Sequence, residues 1–185
     1  MNIPNILTLL RIVLIPVFVV VFYLPKEWAY EVSAIIFAVA AFTDLLDGYL
    51  ARKLNQESSL GAFLDPVADK LMVSTVLIVL LQQHPTIWLA IPTAIIIGRE
   101  ITISALREWM AEVGARSQVA VSTLGKVKTT AQMIAIFCLV YRDPVGGLPT
   151  FTIGYVLLYI AAVLTVWSMC LYLIAAWPSL SNEEP

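Results

Sequence analysis

Two pairs of aspartates, in TDLLDGYLAR (43–52) and GAFLDPVADK (61–70), stand in stretches that are otherwise apolar enough for lipid. On a helix turning about 100° per residue, Asp44, Asp47, Gly48 and Ala51 share one face, with Arg52 at its margin. Gly61, Asp65, Ala68 and Asp69 share a face by the same count. An aspartate at the bilayer centre costs about 2.5–3.5 kcal/mol, so four deep ones cost on the order of 10 kcal/mol. Small residues let helices approach closely in lipid. Two such helices joined by a short loop would bring four carboxylates into one cavity, where their mutual repulsion calls for a cation. Hard oxygen donors suit Mg²⁺ or Mn²⁺. Zinc fits poorly, because the single histidine, His84, falls in a loop and no thiolate lies near the carboxylates. Local alternatives exist for each pair: Asp65-Pro66 has the form of a helix start, and Asp44 or Asp47 next to Arg52 has the form of a buried ion pair. Neither accounts for all four carboxylates together.

The elements that must position these residues are long apolar helices. The chain has 185 residues, 60% of them hydrophobic and 13% charged, and a mean hydropathy of +0.88, beyond the range of a soluble domain with a charged surface. An all-α integral membrane protein is expected. A net charge of −2 with no long basic run excludes nucleic acid as a partner. Apolar runs of roughly 20 residues predict six transmembrane helices near 6–25, 31–53, 61–83, 86–110, 118–142 and 150–176. The breaks between them are YLPKEWAYE, KLNQESSLG, QQHPT, EVGARSQ and YRDPVGGLPT, which hold the residues of chain reversals. No repeat or long linker intervenes, so residues 1–185 are read as one membrane domain. The opening PNILTLLR suits a short interfacial helix, with Pro16 bending the chain where it enters the membrane. No basic region precedes the first apolar run, which is therefore expected to be retained. Of the eleven Lys and Arg residues, only Lys26 and Arg142 fall in the first and fifth connections. By the positive-inside rule both termini are then cytoplasmic. Cys138 and Cys170 lie in apolar runs and are read as packing groups.

A second set of charges follows downstream. IIIGREITISALREWMAEVG places Arg99 and Arg107 two turns apart, and STLGKVKTTAQ puts Lys126 and Lys128 at the start of the fifth helix. Such cations serve topology or lipid headgroups in many membrane proteins. The functional reading is a phosphate site, since Arg99 lies deep in its run and Lys126 near a helix N-terminus.

The run Asp44-x2-Asp47-Gly48-x2-Ala51-Arg52-x8-Gly61-x3-Asp65-x3-Asp69 resembles, in every residue type and interval, the signature of the CDP-alcohol phosphotransferase family. It spans 26 residues, and the six-helix layout extends the resemblance over most of the chain. The resemblance implies a six-helix, homodimeric fold that moves a phosphoalcohol from a CDP-alcohol to an acceptor hydroxyl and releases CMP. It implies two divalent cations, one on Asp44, Asp47 and Asp65 and the other on Asp44, Asp65 and Asp69, with Asp69 also the base. Two ions so placed clamp a diphosphate. Gly48 would let the nucleotide reach the backbone, Arg52 would neutralise a phosphate, and Gly61 would keep the pocket open. Asn5 and Thr8 match a family position near the nucleotide, and Ser58 is a weaker match; for Asn5 and Thr8 a helix cap is the competing reading.

FLDPVADK, REITISALREWMAE and GKVKTTAQM further resemble bacterial members that use CDP-diacylglycerol as donor and sn-glycerol 3-phosphate as acceptor. On that resemblance Arg99, Arg107, Lys126 and Lys128 hold the acceptor's phosphate at the cytoplasmic side of a bacterial inner membrane. Inositol phosphate, serine and phosphatidylglycerol are the acceptors that compete within the family. A divalent-cation channel is the alternative from another class, and a purely structural membrane subunit is the third reading.

Overall fold

The computed structural model describes residues 2–53, 58–112 and 123–181. Six helices follow one another: α1 (Ile3–Phe22), α2 (Ala29–Lys53), α3 (Ser59–Gln83), α4 (Ile87–Glu112), α5 (Thr123–Tyr141) and α6 (Thr150–Ser181). No strand interrupts them among the described residues. Each matches one of the six expected segments to within a few residues, except that α5 is described only from Thr123. Residues 54–57 of the second break, 113–122, which hold most of EVGARSQ and the start of the fifth expected segment, and 182–185 of the acidic tail lie outside the described residues.

Pro4–Phe22, Ile87–Glu112 and Thr150–Trp177 are long and apolar enough to cross a membrane, and Val127–Tyr141 is a shorter apolar helix. The chain is thus a membrane protein. Helices α2 and α3, 25 residues each, reach about 37 Å at 1.5 Å per residue. Their mean hydropathy is lowered by the ends that carry the aspartates. The N-terminal stretch differs from expectation: Ile3–Phe22 is one continuous helix with Pro16 inside it, so PNILTLLR forms its first turns and not a separate interfacial element. Pro4 in the first turn has no amide hydrogen to orphan.

The residues group into two compact units, 1–84 with 136–154, and 85–135 with 155–185. In the first, α1 packs on both α2 and α3. Phe18, Phe22, Ala34, Phe37, Ala40, Ala68, Val76 and Leu77 are buried there, and Phe22 meets Tyr30 edge-on with ring centroids 5.4 Å apart. Alanine at 40 and 68 permits the close approach of helices that polar residues in lipid require. At the end of the unit away from the aspartates, Tyr23 Oη donates to Gln82 Oε1 at 3.0 Å and Gln83 Nε2 donates to Tyr30 Oη at 3.2 Å. A tight turn over 145–148 closes with Leu148 N to Val145 O at 3.0 Å. Gly146 and Gly147 there take φ of 58° and 83°, which only glycine adopts without strain.

The second unit has its own core of Ile103, Met110, Tyr172 and Ala176, against which Leu106, Trp109 and Met169 pack. Large apolar side chains such as Val13, Phe42, Phe63, Ile101, Val163 and Ile174 stay exposed, as they should on faces turned to lipid. Both cysteines are free thiols.

Candidate active site

Helix α1 organises the site in the first unit. Arg11 is 1% exposed, although it sits in a run of isoleucine, leucine and valine. Its Nη1 lies 2.6 Å from Asp44 Oδ1, and its Nη2 donates to Asp47 Oδ2. Asp44 and Asp47, three residues apart on α2, are neighbours on one helix face, and the planar fork of the guanidinium spans both. Asp47 is buried, while the side chain of Asp44 retains 35% of its exposure. Removing one partner from such a buried set leaves an uncompensated charge and costs about 3–5 kcal/mol. Arg11, 36 residues from Asp47, is thus an ion-pair partner that the local sequence does not offer; the Arg52 side chain lies outside the described residues.

Thr8, one turn before Arg11, is fully buried. Its Oγ1 donates to Asp65 Oδ1 at 2.5 Å, and it also lies 3.1 Å from the carbonyl of Pro4. Asn5 is buried as well, and its Oδ1 accepts from Ser58 Oγ at 2.8 Å. Ser58 is the N-cap of α3: its Oγ accepts from Gly61 N at 3.0 Å, satisfying one of the helix's orphan donors. This overrides the helix-start reading of Asp65-Pro66, because α3 begins at Ser59 and carries both residues inside it. It also removes the helix-cap reading of Asn5 and Thr8, since the N-cap of α1 is Asn2. Asp69 lies one turn beyond Asp65 and is partly buried.

Asn5, Thr8, Ser58, Gly61, Asp44, Asp47 and Asp65 are therefore linked by contacts running from α1 to α2 and α3. Gly48, Arg52 and Lys126 are on helices, but their side chains lie outside the described residues. In the second unit, Arg99 is buried and its Nη1 pairs with Glu100 Oε1 at 2.7 Å. Lys128, also buried, brings its Nζ to the same oxygen at 3.4 Å. The Nε of Arg99 is buried without a hydrogen-bond partner among the described residues. Arg107 is exposed; its Nη2 donates to Tyr172 Oη at 3.3 Å, and the guanidinium carbon lies 5.3 Å from that ring's centroid.

Arg11, Glu100 and Tyr172 are absent from the sequence-based site. Arg11 has a visible signal, a charge inside an apolar run, which the positive-inside reading absorbed as a flanking cation. Glu100 is adjacent to Arg99, but neighbours at i,i+1 on a helix do not ordinarily face each other. Tyr172 lies 65 residues from Arg107, beyond any local pattern.

The donors available to a metal are carboxylate oxygens, which suit a hard divalent cation. Among the described residues no three His, Cys, Asp or Glu side chains are gathered as a cluster for one ion. Asp44 and Asp47 nevertheless already hold a cation, the buried Arg11 guanidinium, so that pair is a place where positive charge is bound.

In this helical membrane protein the first unit thus holds Asp44, Asp47 and Asp65 against α1, and the second unit buries two cations, Arg99 and Lys128. The sequence model of the CDP-alcohol phosphatidyltransferase family matches residues 1–167, and the chain belongs to that family. The family is in general dependent on divalent cations. The chain is 53% identical, over 99% of its length and 94% of the relative's, to the CDP-diacylglycerol--glycerol-3-phosphate 3-phosphatidyltransferase of Pseudomonas fluorescens. It is 55% identical to the protein of the same description from Salmonella typhimurium, over 98% of both chains. The corresponding Shigella flexneri protein is 52% identical, again over 98% of both.

Proposed function

We propose that this chain transfers the phosphatidyl group from CDP-diacylglycerol to sn-glycerol 3-phosphate, giving phosphatidylglycerophosphate and CMP for phospholipid synthesis. The observation that carries this reading is identity above one half over nearly the whole of both chains, with relatives named for that reaction. The aspartate signature runs without departure within the matched region.

The resident side chains divide the work. Asp69 takes the proton from the primary hydroxyl of the acceptor. That oxygen forms a bond to the lipid-side phosphorus while the phosphorus–oxygen bond to CMP breaks and CMP leaves with the electron pair. Asp44, Asp47, Asp65 and Asp69 would hold two divalent ions, Mg²⁺ or Mn²⁺, which when bound would neutralise charge on the diphosphate and on the leaving oxygen. Asn5, Thr8, Gly48, Arg52, Ser58 and Gly61 receive the donor, with the Asn5–Ser58–Gly61 hydrogen-bond chain setting the shape of its nucleotide end.

The acceptor's phosphate is taken by Arg99, Arg107, Lys126 and Lys128. Support comes from charge: Arg99 and Lys128, both buried, share the one carboxylate of Glu100, and the Arg99 Nε, without a hydrogen-bond partner among the described residues, suits an anion. The whole chain then works as one catalytic domain, as a homodimer in a bacterial inner membrane, with both termini and the site cytoplasmic. The charge asymmetry of the connections supports that orientation, and the family resemblance supports the dimer.

The test is a CMP-release assay on protein purified in detergent, with Mn²⁺ and CDP-diacylglycerol, against glycerol 3-phosphate, inositol phosphate, serine and phosphatidylglycerol. CMP and phosphatidylglycerophosphate, identified by mass, should form with glycerol 3-phosphate alone. Turnover with serine but not glycerol 3-phosphate would overturn the acceptor assignment, and no CMP with any acceptor would overturn the transferase reading.

A further inference from the structure

We propose that Arg11 is a resident counter-ion that occupies the Asp44 and Asp47 carboxylates until a divalent cation takes them, and so sets the metal affinity of the site. The inference rests on the reading of Asp44 and Asp47 as cation ligands and adds to it a residue of a different element, α1.

A guanidinium inside an apolar helix is stable only when paired, and Arg11 has two partners. One nitrogen faces each aspartate, so the two carboxylates share one positive charge on one side of α2. Its bonding is nonetheless incomplete. The Nε is buried without a hydrogen-bond partner among the described residues, and Nη1 meets Asp44 as an ion pair without a well-directed hydrogen bond. Arg11 is held by charge more than by a filled set of hydrogen bonds. A doubly charged ion competes for the same oxygens with twice the charge. Arg11 is on this account a positioning residue: it preserves the geometry of the metal-free site and lowers its affinity for metal, and it acts through the aspartates.

The direction of the effect separates this role from simple packing. Without the guanidinium, an entering cation has no resident charge to displace. Protein stripped with EDTA is titrated with Mn²⁺, free ion being followed by electron paramagnetic resonance, and Tm is measured in EDTA and in Mn²⁺. Arg11→Gln should bind Mn²⁺ at least about tenfold more tightly than the unsubstituted protein, a change of about 1.4 kcal/mol. Its Tm should fall in EDTA and largely recover in Mn²⁺. Arg11→Lys, whose ammonium is a point charge that cannot fork across two carboxylates, should bind Mn²⁺ with intermediate affinity. Should Arg11→Gln fail to fold, the lysine variant decides: binding tighter than the unsubstituted protein supports the role, and unchanged or weaker binding overturns it. An equal loss of Tm in EDTA and Mn²⁺ with unchanged affinity makes Arg11 a packing residue and overturns the inference alone. Unsubstituted protein that takes up no Mn²⁺ overturns both the inference and the metal reading beneath it.

Discussion

Replacing Gly61 by alanine tests the nucleotide side of the site with a single methyl group. A Cβ at Gly61 would stand 2.8 Å from Asn5 Oδ1 and 3.2 Å from Ser58 Oγ. To restore ordinary carbon–oxygen contact, near 3.3–3.6 Å, the Asn5 carboxamide must retreat by about 0.5 Å or more. That retreat pulls it from Ser58, whose hydroxyl donates to the same Oδ1 at 2.8 Å. Loss of one such hydrogen bond is worth about 1 kcal/mol, a factor of about 5 in binding. The helix itself gains, because alanine is favoured over glycine in an α-helix by up to about 1 kcal/mol. The two terms nearly cancel in stability but not in donor binding. Gly61→Ala should therefore leave Tm within about 2 °C while raising the KM for CDP-diacylglycerol about fivefold, with kcat little changed, since a contact equal in ground and transition states moves only KM. Initial rates of CMP release against donor concentration, with a thermal melt of the same preparation, measure both. An unchanged donor KM would refute the assignment of the Asn5–Ser58–Gly61 chain to the donor pocket. A fall in Tm with KM unchanged would mark Gly61 as a packing position.

Three further outcomes follow from the same structure. Asp69→Asn should lower kcat about 10²–10⁴-fold, the usual weight of a general base, while donor binding changes by less than about tenfold; equal losses in a binding titration and in turnover would make Asp69 chiefly a ligand. Tyr172→Phe removes the hydroxyl that accepts from Arg107 but keeps the ring beneath its guanidinium, so the KM for glycerol 3-phosphate should rise about two- to fivefold with the donor KM unchanged; an unaltered acceptor KM would detach Arg107 from the acceptor. Burial, and secondarily the Arg142 charge, holds the His84 imidazole below its ordinary range. The unfolded chain therefore takes up the proton first, and stability is lost as pH falls below about 6.5. His84→Gln should flatten the decline of Tm between pH 7 and 5, and parallel curves for the two proteins would contradict the assignment.

Much of the candidate site was legible because helical spacing is local. The four aspartates and the small residues between them keep helical intervals, and no neighbouring element is needed to see that they share faces. Helix limits followed from apolar runs ended by proline, glycine and asparagine, and the six segments emerged close to where they were expected. Long-range pairing had no such signature. Asp65-Pro66 has every local mark of a helix start, yet Ser58 caps α3 a full turn and more earlier, because its hydroxyl is also engaged by Asn5 from another helix.

By itself, then, the order of residues determined that the chain is helical and membrane-embedded, and that two of its segments present carboxylates at the spacing of a metal-dependent transferase. Periodicity and hydropathy are properties of consecutive residues, and the solvent acts on them directly. Only the tertiary structure decided which charge meets which. Arg11, which reads as one more flanking cation, is buried against Asp44 and Asp47 because α1 packs on α2 and α3 in a register that puts Thr8 on Asp65 and Asn5 on Ser58 at the same time. In lipid an unpaired charge is so costly that the helices must settle where every buried charge finds its partner, and that partner is chosen by the packing of separate helices, which no stretch of consecutive residues records.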